Sequence, residues 1–356
     1  MDRRKATLGG AGIGVVAGVV GLVVLASPAG AGPAPSLPAT TPQALVQSVL
    51  TASVPSMSGT ISVENNLGLP AVPGIPELAN GTSQVRVWSD GTGRTRVSMP
   101  TATSEQTFVD DGKTLYSWDS SGRTVTESPA TRQHGDHADH KAPLGTDTPT
   151  DPASLAKELV GQLQSSSDIT VDGTDTVAGQ PAYDLVLTPK PSQRTLLREV
   201  KIAVDANKHI PLQLTVLGDN SDQPAVQVGF SSIDYGPQQS SLFTFTPPAG
   251  ATITQENKSQ QDKAQHDATK LTPKIVGSGW DTVAIVTLPS TSKSDAQGRN
   301  SDPMALAREF GTPVSGSWGS GWAIGTNIGT AVLTSDGRVA IGLVPQQVLT
   351  DALGSK

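Results

Sequence analysis

Apolar and polar side chains alternate along the stretch from Gln84 to Ser128. Val85 and Val87 fall on one side of this pattern, Val97 and Met99 do so again further along, and polar residues stand between them. Positions two apart share one face of a β-strand, so this period predicts half-buried strands. Short turns rich in Asp, Ser and Gly separate them. Strands joined so closely pair antiparallel, because a parallel pair needs a crossover of about a dozen residues.

The same pattern returns between Ile169 and Phe245. Its alternating apolar positions are Tyr183, Leu185, Leu187, Val200, Ile202, Val204, Leu212, Leu214, Val216, Val226, Val228, Phe230, Phe243 and Phe245. Two meanders of this length give about ten strands, which is as many as an open, twisted sheet usually carries before it curls. We therefore expect an antiparallel sheet with an apolar concave side.

Two amphipathic helices accompany the strands. Thr41 and Pro42 form an N-cap followed by an early proline, and Asp151 with Pro152 opens the second helix. The apolar stripes of the helices consist of Leu45, Val46, Val49 and Leu50 and of Leu155, Leu159, Val160 and Leu163. Because such a stripe faces the core in a folded protein, we expect both helices to cover the sheet.

Residues 1–31 are typical of an export signal. Arg3, Arg4 and Lys5 precede an uncharged apolar run, and Ala29–Ala31 has the small-residue pattern of a cleavage site. The alternative is an uncleaved membrane anchor, because about 19 uncharged residues just span a bilayer. We expect an extracytoplasmic protein, either secreted or held in the cell envelope. The chain has no Cys, which excludes disulfides and a thiol nucleophile.

Two insertions interrupt the predicted sheet. Leu67–Pro76 combines apolar residues with three prolines, which an interior strand does not accept. It is either an insertion without a role or an apolar flap over the concave side. Pro129–Thr150 is polar and carries His134, His137 and His140 beside Asp residues. Their spacing suits a divalent metal, but nothing apolar fixes the ligand geometry there, so we expect a solvated loop and no metal.

A change of composition predicts a domain boundary. Residues 255–273 are rich in Gln, Lys, Asp and Asn with almost nothing apolar, which is typical of a linker. Residues 32–254 then form the sheet domain, and residues 274–356 form a small C-terminal α+β domain. In the latter we expect a helix from Pro303 to Phe310, a hairpin turn at Gly319–Gly325, and a last helix that follows Pro345.

Residue patterns that carry catalysis or cofactor binding are missing from the sequence. There is no His-Glu-x-x-His, no phosphate-binding loop and no Gly-x-Ser-x-Gly. The five His residues lack the apolar surroundings and carboxylate partner of a general base. The net charge is −7 and the basic residues that follow the signal-like segment are scattered without a run, which gives no footprint for nucleic acid. We expect neither an enzyme nor a cofactor.

Three segments carry a resemblance to a known group. Val171–Leu185, Val204–Leu214 and above all Leu242–Ala251, with its Phe-x-Phe-x-Pro-Pro-x-Gly pattern, resemble the outer-membrane lipoprotein carrier (LolA-like) superfamily. Within it, the chain resembles an actinobacterial secreted branch that is similar to the N-terminal domain of MucB/RseB-type sigma-E regulators. The resemblance covers about residues 42–253. It implies an α+β fold in which an antiparallel sheet forms an unclosed half-barrel with helices in its concave face.

The resemblance also implies an apolar-ligand site between sheet and helices. From the spacing we expect this lining: Leu45, Val49, Val85, Val87, Val97, Met99, Leu155, Leu159, Leu185, Leu187, Leu212, Leu214, Val228 and Phe230. The first hypothesis is a monomeric carrier of lipids or of lipoprotein acyl chains. The second is a regulator that senses such a ligand and signals through the C-terminal domain to a membrane protein partner. A structural envelope protein is the third.

Overall fold

The computed structural model describes residues 34–68, 80–101, 103–130, 152–219, 221–255, 273–288 and 303–355. The predictions for the export signal, for the histidines of the polar insertion and for the linker lie outside these residues. So does most of the proline-rich insertion, of which only Leu67 and Gly68 are described. Among the described residues, no helix is long and apolar enough to cross a membrane.

Twelve strands form the larger sheet. They are β1 (Ser56–Asn65), β2 (Gly81–Asp90), β3 (Thr95–Pro100), β4 (Glu105–Asp110), β5 (Thr114–Asp119), β6 (Thr124–Pro129), β7 (Ser167–Val177), β8 (Gln180–Pro189), β9 (Leu197–Asp205), β10 (Pro211–Gly218), β11 (Val226–Tyr235) and β12 (Thr252–Gln255). All neighbours pair antiparallel except β12, which pairs parallel with β6. The two predicted meanders are confirmed.

The sheet is curled but not closed. Its strand order is β12-β6-β5-β4-β3-β2-β1-β11-β10-β9-β8-β7, so that β1 and β11 join the two meanders at its centre. Residues of the edge strand β7 contact β11, four places away in that order. Curling of this degree brings one half of the sheet around a core and leaves β7 and β12 as separate edges.

Two helices lie on the same face of this sheet. Helix α1 (Pro42–Thr51) starts as the sequence predicts, with the Thr41 hydroxyl accepting the Ala44 N–H at 3.2 Å and Pro42 in the first turn. Helix α2 (Pro152–Leu163) continues into a 3-10 turn at Gln164–Ser166. The two helices contact each other. The Lys157 ammonium on α2 donates to the Ala52 carbonyl at the end of α1 at 2.5 Å.

The chain that follows β11 lies across the face of the sheet opposite the two helices. We call this face the back of the sheet. The prediction of a strand through Phe243 and Phe245 is wrong: Ser240–Phe243 is a 3-10 turn, and the chain after it is irregular up to β12. Pro247 and Pro248 lack the N–H groups that a ladder needs. We name residues 240–251 the closing segment.

Aromatic and basic side chains attach the closing segment to the strands. Phe243 is 1% exposed, with the Arg94 guanidinium 5.4 Å from its ring centre. The ring centres of Phe245 and Tyr116 are 5.3 Å apart, and the Arg123 guanidinium donates to the Ala249 carbonyl at 2.6 Å. The closing segment thereby buries the back of β3–β6.

A second sheet is formed by the C-terminal part of the chain. Its strands are β13 (Lys274–Val276), β14 (Val283–Thr287), β15 (Thr312–Gly316), β16 (Gly319–Gly325), β17 (Thr330–Thr334) and β18 (Arg338–Gly342), in the order β13-β14-β18-β17-β16-β15. Helix α3 (Pro303–Phe310) has the predicted bounds, and helix α4 (Gln346–Gly354) follows Pro345. The prediction of a hairpin turn at Gly319–Gly325 is wrong, because this segment is β16 and the turn is at Ser317–Trp318.

Helix α4 covers one face of the second sheet. Its apolar side chains Val348, Leu349, Ala352 and Leu353 are buried, and they share a core with Val332 and other residues of the strands. This core holds no residue of the larger sheet. The described residues therefore form two layered units, each with its own apolar centre.

Candidate functional site

The face of the larger sheet that carries the helices is apolar across its central strands. Strand register places Leu185 opposite Ile202, Ile202 opposite Leu214, and Leu214 opposite Val228. The same register places Val228 opposite Val63. Two residues further along these strands, Ile61 lies opposite both Phe230 and Val85. Directly paired residues lie on the same side of a sheet. We name this side the concave face.

The helices close one half of the concave face. Leu45 and Val49 of α1 and Val160 of α2 pack against strand residues that include Leu185 and Leu187, and all of them are buried. The chain before α1 covers the same region, since the Tyr183 hydroxyl donates to the Pro38 carbonyl at 2.8 Å. We name this part, over β7–β11, the closed half. Its side chains are buried as those of an ordinary core are.

The other half of the concave face is open. Val87 is opposite Val97, Val97 is opposite Phe108, and Leu115 stands beside them on β5. Val97, Met99 and Phe108 are only half-buried, and Leu115 is 38% exposed. We name the concave face of β2–β5 the open half. It presents an apolar row in which Val97 is opposite Phe108 and Leu115 is diagonal to Phe108. The described helices do not cover this row.

The predicted lining residues fall into two buried clusters, the second of which includes residues of β1, β2 and β7–β11 and does not coincide with the open half. Leu45, Val49, Leu159, Leu185, Leu187 and Leu214 belong to the core of the closed half. Val85, Val87, Leu212, Val228 and Phe230 belong to a second cluster, against which Val97 and Met99 pack. Leu155 lies in α2, but its side chain is outside the described residues.

Sequence reasoning missed two residues of the open half, Phe108 and Leu115. Phe108 is followed directly by another apolar residue, Val109, and both lie in β4. Val109 is fully buried on the back of the sheet, in register with Arg96 and Tyr116. Two neighbouring apolar residues point to opposite faces, so their period does not show which of them faces the concave side.

The carboxylates near the open half accept hydrogen bonds from groups within their own turns. Asp110 accepts the Gly112 N–H at 2.7 Å, and Asp119 accepts both the hydroxyl and the N–H of Ser121. The Ser121 hydrogen bonds hold the pKa of Asp119 below its ordinary value. Within the described ranges, His, Asp and Glu nowhere form a group of three that suits a metal ion. The open half therefore presents apolar side chains together with the polar Ser117 and Gln106, and its carboxylates are held by hydrogen bonds within turns.

Two ionisable groups outside the open half, Asp184 and Tyr235, have strongly shifted pKa values. Burial raises the pKa of Asp184 to about 6, and the charge of Asp175 adds to this effect. Burial also raises the pKa of Tyr235, whose hydroxyl donates to Asp205 at 2.6 Å. Asp205 is fully buried and accepts two backbone N–H groups of the turn that follows it. These contacts hold the strands β9 and β11 together.

Solved structures of several proteins are similar to this chain. The complex of MucA and MucB from Pseudomonas aeruginosa has 17% identity and a TM-score of 0.43, and the match covers 88% of this chain and 95% of that chain. A LolA superfamily protein from Nitrosomonas europaea has 14% identity and a TM-score of 0.24, with 58% and 99% covered. A putative outer membrane lipoprotein-sorting protein domain from Vibrio parahaemolyticus has 8% identity and a TM-score of 0.23, with 56% and 94% covered.

No curated protein matches the chain. A family model does match, over residues 55–255, which is more than half of the chain and spans β1 to β12 of the larger sheet. The matched region thus contains both the closed and the open half of the concave face. The chain belongs to the family described as "Predicted periplasmic protein (DUF2092)".

Proposed function

We propose that this protein binds the acyl chain of a lipid or lipoprotein along the open half and carries it outside the cytoplasm. The observation that supports this most is the row formed by Val97, Met99, Phe108 and Leu115, which continues the buried concave face beyond the helices. An apolar patch formed by neighbouring side chains at the surface is typical of a binding site.

The energetics of the row are adequate for this role. Each methylene removed from water contributes about 0.8 kcal/mol. About ten methylenes against the open half would contribute on the order of 8 kcal/mol, which corresponds to binding in the micromolar range before ordering costs are subtracted. Acyl chains need no polar partners along their length, and this agrees with the occupied carboxylates around the open half.

The proposal also includes export to the periplasm or cell surface. The family description and the signal-like residues 1–31 support it. The carrier acts by binding alone, as the lack of a polar constellation on the open half suggests.

The experiment is uptake of a fluorescent fatty acid by the exported protein, together with native mass spectrometry of protein prepared without detergent. Leu115→Asp places a charge in the row, and we expect at least a tenfold loss of affinity because a carboxylate against an acyl chain is costly. Ile253→Asp is the matched control: Ile253 is 51% exposed on β12 of the same sheet, in register with Val125 on the back.

The two variants give opposite expectations. Ile253→Asp should bind the fatty acid as the parent protein does. Equal binding by parent and Leu115→Asp, with both folded, would show that the open half is not the site. Parent protein that neither retains lipid nor takes up fatty acid would remove the carrier proposal altogether.

A second candidate function is a regulator that reports the bound ligand through the C-terminal unit. It is favoured by the insertion of Trp280, from that unit, into the same core as α1 and α2. Fatty acid binding should then alter hydrogen exchange at Gly279–Asp281, the turn that holds Trp280. A carrier without signalling would change exchange only on β2–β5.

A further inference from the structure

The back of the larger sheet, opposite the concave face, holds a pocket of about 260 Å³. Six side chains around it belong to three neighbouring strands: Ser58 and Thr60 on β1, Arg86 and Trp88 on β2, and Ser232 and Asp234 on β11. Register pairs Ser58 with both Trp88 and Asp234, and Thr60 with both Arg86 and Ser232. All six therefore lie on one face, in two rows of three.

The shape of the pocket follows from these residue types. The central strand contributes the small side chains Ser58 and Thr60 as a floor. Arg86 and Trp88 on β2 form one wall, and Ser232 and Asp234 on β11 form the other. Two strand spacings of about 4.8 Å separate β2 from β11, so the walls stand about 10 Å apart. Such a width suits a single ring.

The polar groups of the walls are available to a ligand. No described residue forms an ion pair or hydrogen bond with the side chains of Arg86, Trp88 or Asp234, and no ring contact involves Trp88. Arg86 and Asp234 are exposed, and Trp88 is half-buried with its ring beside the floor. An indole offers an apolar face together with one N–H donor.

From this juxtaposition we propose that the pocket binds one pyranose ring of a carbohydrate. A pyranose has an apolar C–H face, which the Trp88 ring matches, and a rim of hydroxyls that both donate and accept. Arg86 supplies donors, Asp234 supplies acceptors, and the hydroxyls of Ser58, Thr60 and Ser232 supply both.

Other ligand classes fit the pocket less well. Arg86 and Asp234 carry opposite charges, so the pocket as a whole favours neither a phosphate nor a metal cation. An acyl chain would strip water from both charged groups without replacing it. A peptide that adds a strand needs a free sheet edge, whereas β1, β2 and β11 are interior strands. The combination of Trp, Arg, Asp and hydroxyls remains suited to a sugar.

Saturation-transfer NMR of the full exported chain tests the proposal with methyl β-glucopyranoside, methyl α-mannopyranoside and N-acetylglucosamine as probes. We expect at least one probe to bind at millimolar concentration, with the strongest transfer to its ring C–H protons. Asp234→Asn and Trp88→Ala should each lower the affinity about tenfold, which corresponds to the loss of about 1.4 kcal/mol.

Arg198→Ala is the control, because Arg198 is a partly exposed arginine on β9 that pairs with Asp222 and stands outside the pocket. It should bind the sugar within about twofold of the parent. Asp234→Asn leaves an exposed position exposed, so that loss of fold does not explain a loss of binding. Absence of binding for all three probes, or unchanged binding in both pocket variants, would overturn the proposal.

Discussion

The indole N–H of Trp280 donates to the Ser167 hydroxyl at 2.8 Å, and the Ser167 hydroxyl donates in turn to the Leu163 carbonyl at 2.7 Å. Leu163 is the last residue of α2, whereas Trp280 belongs to the C-terminal unit. Trp280 is 3% exposed, so the C-terminal unit contributes to the core that lies under the helices. This contact ties the second unit to the helix that covers the closed half.

Further hydrogen bonds accompany this contact. The Gln193 side chain accepts the backbone N–H of Trp280 at 2.9 Å, and the Leu343 carbonyl accepts the backbone N–H of Leu196 at 3.0 Å. Gly279 has a φ of 68°, and a Cβ at this position would meet the Ser166 hydroxyl. Glycine at 279 therefore serves both a left-handed conformation and a close approach of the two units.

Trp280→Ala should loosen the C-terminal unit. Removal of a buried Trp costs about 3–5 kcal/mol of folding free energy. We expect a lower denaturation midpoint and faster hydrogen exchange at Gln193–Leu197. Trp322→Ala is the control, because Trp322 lies on β16 within the second sheet and contacts Arg308 there. If the two variants changed exchange at Gln193–Leu197 equally, the role of Trp280 between the units would be refuted.

Local patterns predicted much of this fold. Helix α1 begins at Pro42 because Thr41 caps it, and Val85 and Val87 face the core because they alternate with polar neighbours. Such features depend on residues within a few positions of one another.

Long-range packing was not predictable in the same way. Phe243 and Phe245 alternate as strand residues do, yet they lie across the back of β3–β6. Trp280 is 113 positions from its partner Ser167, and no period relates the two. The position of the open half depends equally on where the helices stop covering the sheet, which only the structure reveals.

Tyr235→Phe should destabilise the larger sheet. It removes one hydrogen bond to the fully buried Asp205 carboxylate, and an unsatisfied buried acceptor costs about 1–3 kcal/mol. Chemical denaturation should report this loss, whereas Tyr183→Phe, which removes an exposed hydrogen bond to the Pro38 carbonyl, should cost less. An unchanged midpoint for Tyr235→Phe would contradict the structural role of the pair.

The same tyrosine predicts a loss of stability in alkali. Burial, with the Asp205 hydrogen bond, raises the pKa of Tyr235 above its ordinary value of 10.0. The folded state therefore keeps this proton at a pH where the unfolded state releases it. The contribution to stability is complete below about pH 10 and falls as pH rises above it. Tyr235→Phe should flatten that part of the stability curve, and a curve that keeps its slope would exclude Tyr235 as the cause.

The raised pKa of Asp184 predicts a change of stability at acidic pH. Burial, followed by the charge of Asp175, raises its pKa to about 6, so the folded state binds this proton more tightly than the unfolded state. The resulting stabilisation is complete below about pH 4 and is lost as pH rises to about 6. Asp184→Asn should remove this pH dependence and stabilise the protein at neutral pH by about 1–2 kcal/mol. Asp175→Asn should lower the pKa of Asp184, which NMR titration of the carboxyl measures.

The last prediction separates the two halves of the concave face. Leu187 is fully buried in the core of the closed half, whereas Met99 is half-buried in the open half. Leu187→Ala should cost about 2–5 kcal/mol of folding free energy, because it leaves a cavity beneath the helices. Where the variant is still folded, its fatty acid affinity should stay within about twofold of the parent, because the proposed function places the acyl chain on the open half. Met99→Ala should show the reverse: a loss of stability below about 1 kcal/mol and a clearly weaker affinity, because its side chain is removed from the binding row.

Denaturation and fluorescent fatty acid titration of the same two proteins measure both quantities. If Leu187→Ala lost affinity while Met99→Ala did not, the acyl chain would lie between the helices and β7–β11, and the open half would have another role.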